Sequence, residues 1–213
     1  MEKQIARILL DLNAVALRLD PPFTWASGRL SPIYCDNRLI ISSPAARRTV
    51  AEAFVALIEK TGWKPDVIAG TATAGIPHAA FVADRMNLPM IYVRGAAKDH
   101  GKENLIEGRL EKGQKVVLIE DLISTGKSSI AAAKGVIDGG GDLLGIAAIF
   151  TYGLPVAQAQ FDGAGVAWRS LTEFPALMHV AKERGTLTTA QMDIISRWQA
   201  DPAAWSVERG GAG

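Results

Sequence analysis

The sequence predicts an α/β protein built on a mainly parallel sheet with helices on both faces. Two observations carry this. Short, continuously apolar runs recur along the chain: "DVIAG", "MIYVR", "KVVLIED", "DLLGIAAIF" and "GVAWRSL". Runs of that kind suit strands buried on both faces. Between them lie stretches of helical character, several entered through glycine-rich turns, which is the rhythm of strand, crossover helix and parallel strand.

The elements follow in order. In "MEKQIARILLDLNAVALRLD", Ile5, Ile8, Leu9, Leu12 and Val15 fall at helical spacing and predict an amphipathic first helix. The prolines, glycine and serines of "DPPFTWASGRLSPIYCD" predict a structured loop with a short strand at 33–36. Pro44 suits a first helical turn and opens a helix predicted to reach about Lys60. "DVIAG" then leads into "TATAGIPHAAFVADRM", and "MIYVR" into the polar run "GAAKDHGKENLIEG". "KVVLIED" leads into "LISTGKSSIAAAKGVID". "GGGD" (139–142) stops that helix, since a strand follows it. Helices are predicted near 155–161, 174–184 and 188–199, and the final "RGGAG" as a frayed tail. No internal repeat is seen. The chain reads as a single domain over 1–213: an N-terminal segment at about 20–40, a core at about 44–172, C-terminal helices at about 173–200 and a tail at about 206–213. Three loops leave the carboxyl ends of the strands, at 70–75, 94–106 and 120–128. Parallel sheets bind their ligands there.

Composition limits the function classes. A net charge of +1 over 213 residues offers no bulk attraction for nucleic acid or an anionic membrane, so any anion must be held locally. The one cysteine, Cys35, excludes an intrachain disulfide and a cysteine-built metal site, and fits a reducing cytoplasm. The charged first segment is neither a signal peptide nor a membrane span, and no other apolar run reaches membrane length.

The stretch "VVLIEDLISTGKSS" (116–129) carries the chemistry. It ends like an ATP-binding loop, but G-x-x-x-x-G-K-[ST] requires glycine where Asp121 stands. Phosphate binding still fits Ser124, Thr125, Gly126, Lys127 and Ser128, which lie between a strand and a helix. Unsatisfied N–H groups and the dipole at a helix start favour an anion. Carboxylates accept hydrogen bonds, so Glu120 and Asp121 should face hydroxyls. Phosphate beside a pair of hydroxyls describes a ribose 5-phosphate. Taken alone, Thr-Gly-Lys-Ser is also a well-capped helix start, but two carboxylates closing an apolar strand are harder to explain that way.

This stretch resembles the phosphoribosyl-pyrophosphate (PRPP) motif of type I phosphoribosyltransferases. Together with "PFTWASGRLSPIYCDNRLI", "IAGTATAGIPHAA", "NLPMIYVR", "KDHGKENLIEG" and "AIFTYGLP", it resembles orotate phosphoribosyltransferase of the branch common in Gram-positive bacteria. The likeness runs in order over about 4–175. The PRPP motif alone gives the superfamily; "FTWASG…SPIY" and "KDHG" point to orotate. The resemblance implies the type I fold, with a small hood built largely from the N-terminal segment. It implies the reaction of orotate with PRPP to give orotidine 5′-monophosphate and pyrophosphate. It also implies Mg²⁺ held mainly through PRPP with no direct protein ligand, and a cytoplasmic homodimer with shared sites.

By the same resemblance Glu120 and Asp121 hold the ribose hydroxyls. The PRPP loop, with Leu122 and Ile123 leading into 124–128, holds the 5-phosphate, and Ser124 also touches orotate. Arg94, Lys98 and His100 enter the partner's site to meet the departing pyrophosphate, whose growing charge needs cations. By composition alone that run would be a solvated surface loop. Thr71 and Thr73, in "GTATAG", cradle the pyrophosphate, a role that a plain strand-to-helix turn rivals. Tyr34 and Cys35 offer orotate a ring face and backbone hydrogen bonds, with Tyr34 as core residue the alternative. His78 and His179 read as ordinary helix residues. The chain departs from the enteric branch, which has lysines where Ala26, Ala74 and Gly95 stand, and an arginine for orotate beyond the strand ending near Phe150, where "TYGL" has none. Two rival readings remain, a phosphoribosyltransferase for another base and a PRPP-binding regulator. The hood motif disfavours the first, and the absence of an added nucleic-acid module disfavours the second.

Overall fold

In a computed structural model, the structure describes residues 1–95 and 105–213. The resemblance-based assignments at Lys98 and His100 lie outside the described residues. Among the described residues a six-stranded sheet forms the centre. Its strands are β5 (Val67–Thr71), β6 (Met90–Val93), β7 (Ile106–Glu107), β8 (Lys115–Ile123), β9 (Asp142–Thr151) and β10 (Trp168–Glu173). They are arranged β10-β9-β8-β5-β6-β7, parallel throughout except for the antiparallel edge strand β7. Alternation along each strand feeds two cores. Val117 and Ile119 of β8 join a cluster with α2 (Pro44–Thr61) and α3 (Gly75–Met86), while Val116 and Leu118 join one with α4 (Lys127–Asp138) and α5 (Pro155–Ala164).

Before the core come α1 (Glu2–Asp11) and four short strands: β1 (Val15–Leu17), β2 (Phe23–Thr24), β3 (Leu30–Ser31) and β4 (Ile33–Cys35). β1 pairs with β4 and β2 with β3, both antiparallel. A 3₁₀ turn, Asn37–Ser42, leads to α2. The first helix is thus shorter than its pattern predicts. Asn13 takes a left-handed conformation (φ 53°), which ends it, and Val15 belongs to β1. α2 closely matches its predicted span: Ser43 caps it, Pro44 opens it and Gly62, at φ 74°, closes it.

Behind the sheet lie α6 (Phe174–Glu183), α7 (Thr189–Ala200) and α8 (Pro202–Val207). α7 starts with a capping box between Thr188 and Gln191. The predicted frayed tail is corrected. Ala212 N–H donates to Gly28 O (3.1 Å), and Ser206 Oγ donates to Ala212 O (2.6 Å) while accepting from Leu30 N–H (2.9 Å). The glycines allow this, since a Cβ on Gly211 would meet Leu30 at 2.7 Å. The terminus is therefore a strap across the β2–β3 hairpin.

Gly75 sets the position of the loop at 70–75. A Cβ there would lie 2.5 Å from the carbonyl oxygen of Ile119. The helix start packs against the central strand with no room for a side chain. Gly75→Ala is expected to lower stability by about 1–3 kcal/mol in urea melts, because backbone must shift on both sides. An unchanged midpoint would show that α3 can ride up from β8 freely.

Candidate active site

β8 delivers the site. The sequence predicts its acids at the strand's end, but β8 continues through them to Ile123, with Glu120 paired to Ala148 and Leu122 to Phe150. Neighbouring residues of a strand face opposite sides. Glu120 and Asp121 leave the strand on opposite faces at its end, yet their carboxyls stay within hydrogen-bond reach of each other. Glu120 goes under α4 and is buried at 4% exposure, accepting from Ser129 Oγ (2.9 Å) and from the Asp121 N–H (3.1 Å). Asp121 faces the hood side and is partly exposed. Its backbone carbonyl accepts from the buried Asn37 Nδ2 at 2.6 Å, which ties β8 to the 3₁₀ turn.

Burial, with the Asp121 charge adding to it, pushes the Glu120 carboxyl up to about 8. Burial also raises Asp121. Glu120 is thus a neutral acid held against the first turn of α4. Ser129 rather than Ser128 is its partner, a contact the motif does not announce.

The loop at 124–128 enters α4 through Gly126, at φ 85°. That angle favours glycine, and a Cβ there would come within 3.0 Å of Phe161. No side chain caps α4, so its leading N–H groups stay available to an anion. Lys127 and Ser128 are exposed, and Ser124 and Thr125 partly so. Ile123 is fully buried, and its carbonyl accepts from Thr151 Oγ1 and Tyr152 N–H.

At the neighbouring strand end, Thr71 is buried and its Oγ1 has no partner among the described residues. Thr73 is exposed on the loop. An unpaired buried hydroxyl facing a loop is a donor waiting for an acceptor. Arg94, at the end of β6, holds its own chain: its N–H donates to Leu105 O (2.8 Å) and its guanidinium lies 3.8 Å from the Glu107 carboxylate.

Under the hood lies a cavity of about 400 Å³ lined by Thr24, Trp25, Ala26, Tyr34, Cys35, Leu122, Ser124 and Tyr152. Tyr34, Cys35 and Ser124 are thus brought together. Trp25 and Tyr152, absent from the expected set, form an aromatic wall with ring centroids 5.9 Å apart and planes at 24°. "FTWASG" and "TYGL" contain both, but only the fold shows that they meet. Burial pushes the Cys35 thiol and the Tyr152 phenol well up, so both stay protonated and neutral. His78, buried in α3, is lowered to about 4 by burial and is a neutral core residue. His179 pairs with Glu183 on the surface of α6.

The buried neutral acid predicts a pH dependence. A carboxyl raised from the usual range to about 8 binds a proton in the folded state that the unfolded chain has released. Its stabilisation is complete below the ordinary glutamate pKa and is lost as pH rises towards about 8. Wild-type stability is expected to fall by up to about 1.4 kcal/mol per pH unit over that window. Glu120→Gln should lack this component in urea melts at several pH values. Parallel curves for the two proteins would contradict a neutral buried Glu120.

The family described as "Phosphoribosyl transferase domain" matches residues 40–157. A protein of Fusobacterium nucleatum named orotate phosphoribosyltransferase is 52% identical, the match covering 93% of this chain and 95% of that one. One of the same name from Listeria monocytogenes is 49% identical, over 96% of this chain and 98% of the relative. Among solved structures, the orotate phosphoribosyltransferase of Aeropyrum pernix superposes with a TM-score of 0.74 at 25% identity, over 86% of this chain and 99% of that one. With relatives at this identity along nearly its whole length, the chain belongs to the orotate phosphoribosyltransferase family.

Proposed function

We propose that this protein transfers the 5-phosphoribosyl group from PRPP to orotate, giving orotidine 5′-monophosphate and pyrophosphate, a step of pyrimidine nucleotide (UMP) biosynthesis. The observation that carries this is one continuous strand end. Asp121, the loop at 124–128 and the hood cavity follow one another along the same few residues, with Leu122 and Ser124 lining that cavity. A ribose 5-phosphate on the loop would place its sugar at Asp121 and its C1 towards the cavity, where a flat base would lie.

In the transfer, the bond from ribose C1 to the pyrophosphate oxygen breaks and pyrophosphate keeps the electron pair. A ring N–H of the base gives up its proton to the departing pyrophosphate, and the nitrogen closes on C1 with the freed electron pair. The N–H groups at the start of α4 bind the 5-phosphate. Asp121 accepts from the ribose hydroxyls, with its backbone held by Asn37. Thr71 and Thr73 take the pyrophosphate, and Arg94, Lys98 and His100 meet its growing charge. The donor set fits a cation brought in on PRPP. Glu120 is engaged by Ser129, which leaves Asp121 as the carboxylate beside the sugar. Mg²⁺ bound through PRPP oxygens supplies charge neutralisation as pyrophosphate leaves. The protein acts as a cytoplasmic homodimer in which Arg94, Lys98 and His100 complete the partner's site. A lone cysteine fits that compartment, and no helix among the described residues is long and apolar enough to cross a membrane.

Purified protein is expected to consume orotate, followed by its absorbance, when PRPP and Mg²⁺ are both present, and to leave uracil, hypoxanthine and adenine unchanged. Activity on a purine without activity on orotate would reject the proposal. Lys98→Ala should reduce turnover by about 10²-fold or more with far less change in PRPP affinity. Mixing Lys98→Ala with Asp121→Asn chains should restore part of the activity, since a hybrid dimer keeps one intact site; no recovery would count against shared sites.

A further inference from the structure

The C-terminal helices have no role in the transfer as set out above, yet α7 touches the wall of the base cavity. Trp198 is fully buried. Its ring lies 6.0 Å from Trp25 and 5.5 Å from Tyr152, edge-on to each at 87°. Trp25 and Tyr152 are two of the three aromatic residues lining the hood cavity, Tyr34 being the third, and they come from distant parts of the chain. Trp25 belongs to the hood and Tyr152 follows β9. The next residue of α7, Gln199, donates from Nε2 to the Tyr152 carbonyl at 2.8 Å. Gly153, at φ 63°, leaves space for it, since a Cβ there would stand 3.1 Å from that same nitrogen. One turn of α7 thus fixes both the ring and the backbone of Tyr152.

Two more observations extend the contact. The Trp198 indole N–H is buried and has no partner among the described residues. A buried donor left unpaired is costly, so polar contacts do not account for an indole here; its contacts with the other rings do. Beyond α7, the chain reaches the hood again through Ser206 and Ala212, which bond Leu30 at the start of β3 and Gly28 in the β2–β3 turn. The C-terminal segment therefore holds the hood hairpin at its tip and at Trp25.

We propose that Trp198 is a positioning residue for base recognition: it holds Trp25 and Tyr152 as a rigid aromatic wall, so that α7 sets the shape of the cavity for a planar pyrimidine. A flat ring gains from stacking only when the facing ring is held in one orientation, and a locked rotamer lowers the entropy lost on binding. Tyr152 stands just beyond β9. An aromatic residue there cannot supply charge, so shape and a hydroxyl must serve, and both depend on its orientation. The PRPP loop does not contact Trp198 in this arrangement, and the effect should be confined to the base.

This inference rests on the cavity being the base site, and the test separates the two. Steady-state kinetics of the full chain would be measured for wild type, Trp198→Phe, Trp198→Ala and Gln199→Ala, varying orotate and PRPP in turn. Trp198→Ala is expected to raise the KM for orotate about tenfold or more and the KM for PRPP less than about twofold. Trp198→Phe should recover most of the loss. If Trp198→Ala does not fold, Gln199→Ala should show the same split at smaller size. Unchanged orotate KM in folded variants, or an equal rise in both KM values, would overturn the proposal. Wild-type protein inactive on orotate would instead overturn the assigned function, and with it this inference.

Discussion

The structure turns on the burial of β8 up to its last residues. Five consecutive residues, 116–120, are buried in the middle of the sheet, and the fifth is a glutamate. A carboxylate cannot be left charged and unpaired there without a cost of several kcal/mol. It is accommodated by protonation and by the hydroxyl of Ser129. That bond also fixes the start of α4 against the end of β8, which sets the direction of the uncapped N–H groups. The phosphate loop is therefore held from beneath by a neutral acid, and Asp121, one residue on, is left to face the ligand.

The same strand end connects the two halves of the site. Asn37 bonds the Asp121 carbonyl, so the turn that leaves the hood is tied to the end of β8. Leu122 and Ser124 then line the hood cavity directly. The proposed sugar and base sites thus share a backbone, and the distance between them is set by strand geometry. The hood itself is a set of two- and three-residue strands that could not fold alone. Its stability comes from contact with the core, with α7 and with the C-terminal strap.

Most of the core was legible in the sequence because buried parallel strands read as unbroken apolar runs; β5, β8 and β9 illustrate this. Helix α2 was legible because Ser43, Pro44 and Gly62 punctuate it. The first helix was over-extended, since Val15 keeps the helical spacing and the break lies in one left-handed residue, Asn13. The antiparallel edge β7 is too short to leave a pattern. The motif at 116–128 announced a phosphate and hydroxyls, but not that Glu120 is buried against Ser129, because that contact follows only once β8 is known to continue through the acids. Trp25, Tyr152 and Trp198 escaped notice as a group for a related reason. They are far apart in the chain, and an isolated aromatic residue looks like any core residue until the rings meet.

The low charge of the chain gives these facts a common meaning: its net charge is only +1, and Ala26, Ala74 and Gly95 carry none. Binding a substrate as highly charged as PRPP must then rest on groups whose effect is local. Backbone N–H groups at the head of α4 and the unpaired hydroxyl of Thr71 are such groups, and they are pre-oriented. Preorganised dipoles need no rearrangement as charge develops, and within a closed site they act at low dielectric. On the base side the corresponding replacement is shape: Ala26 lines a cavity whose wall is Trp25 and Tyr152 rather than a charged side chain. Rigid support beneath each element is what lets weaker groups serve. Ser129 and Glu120 supply it for the phosphate loop, Asn37 for Asp121, and Trp198 for the aromatic wall.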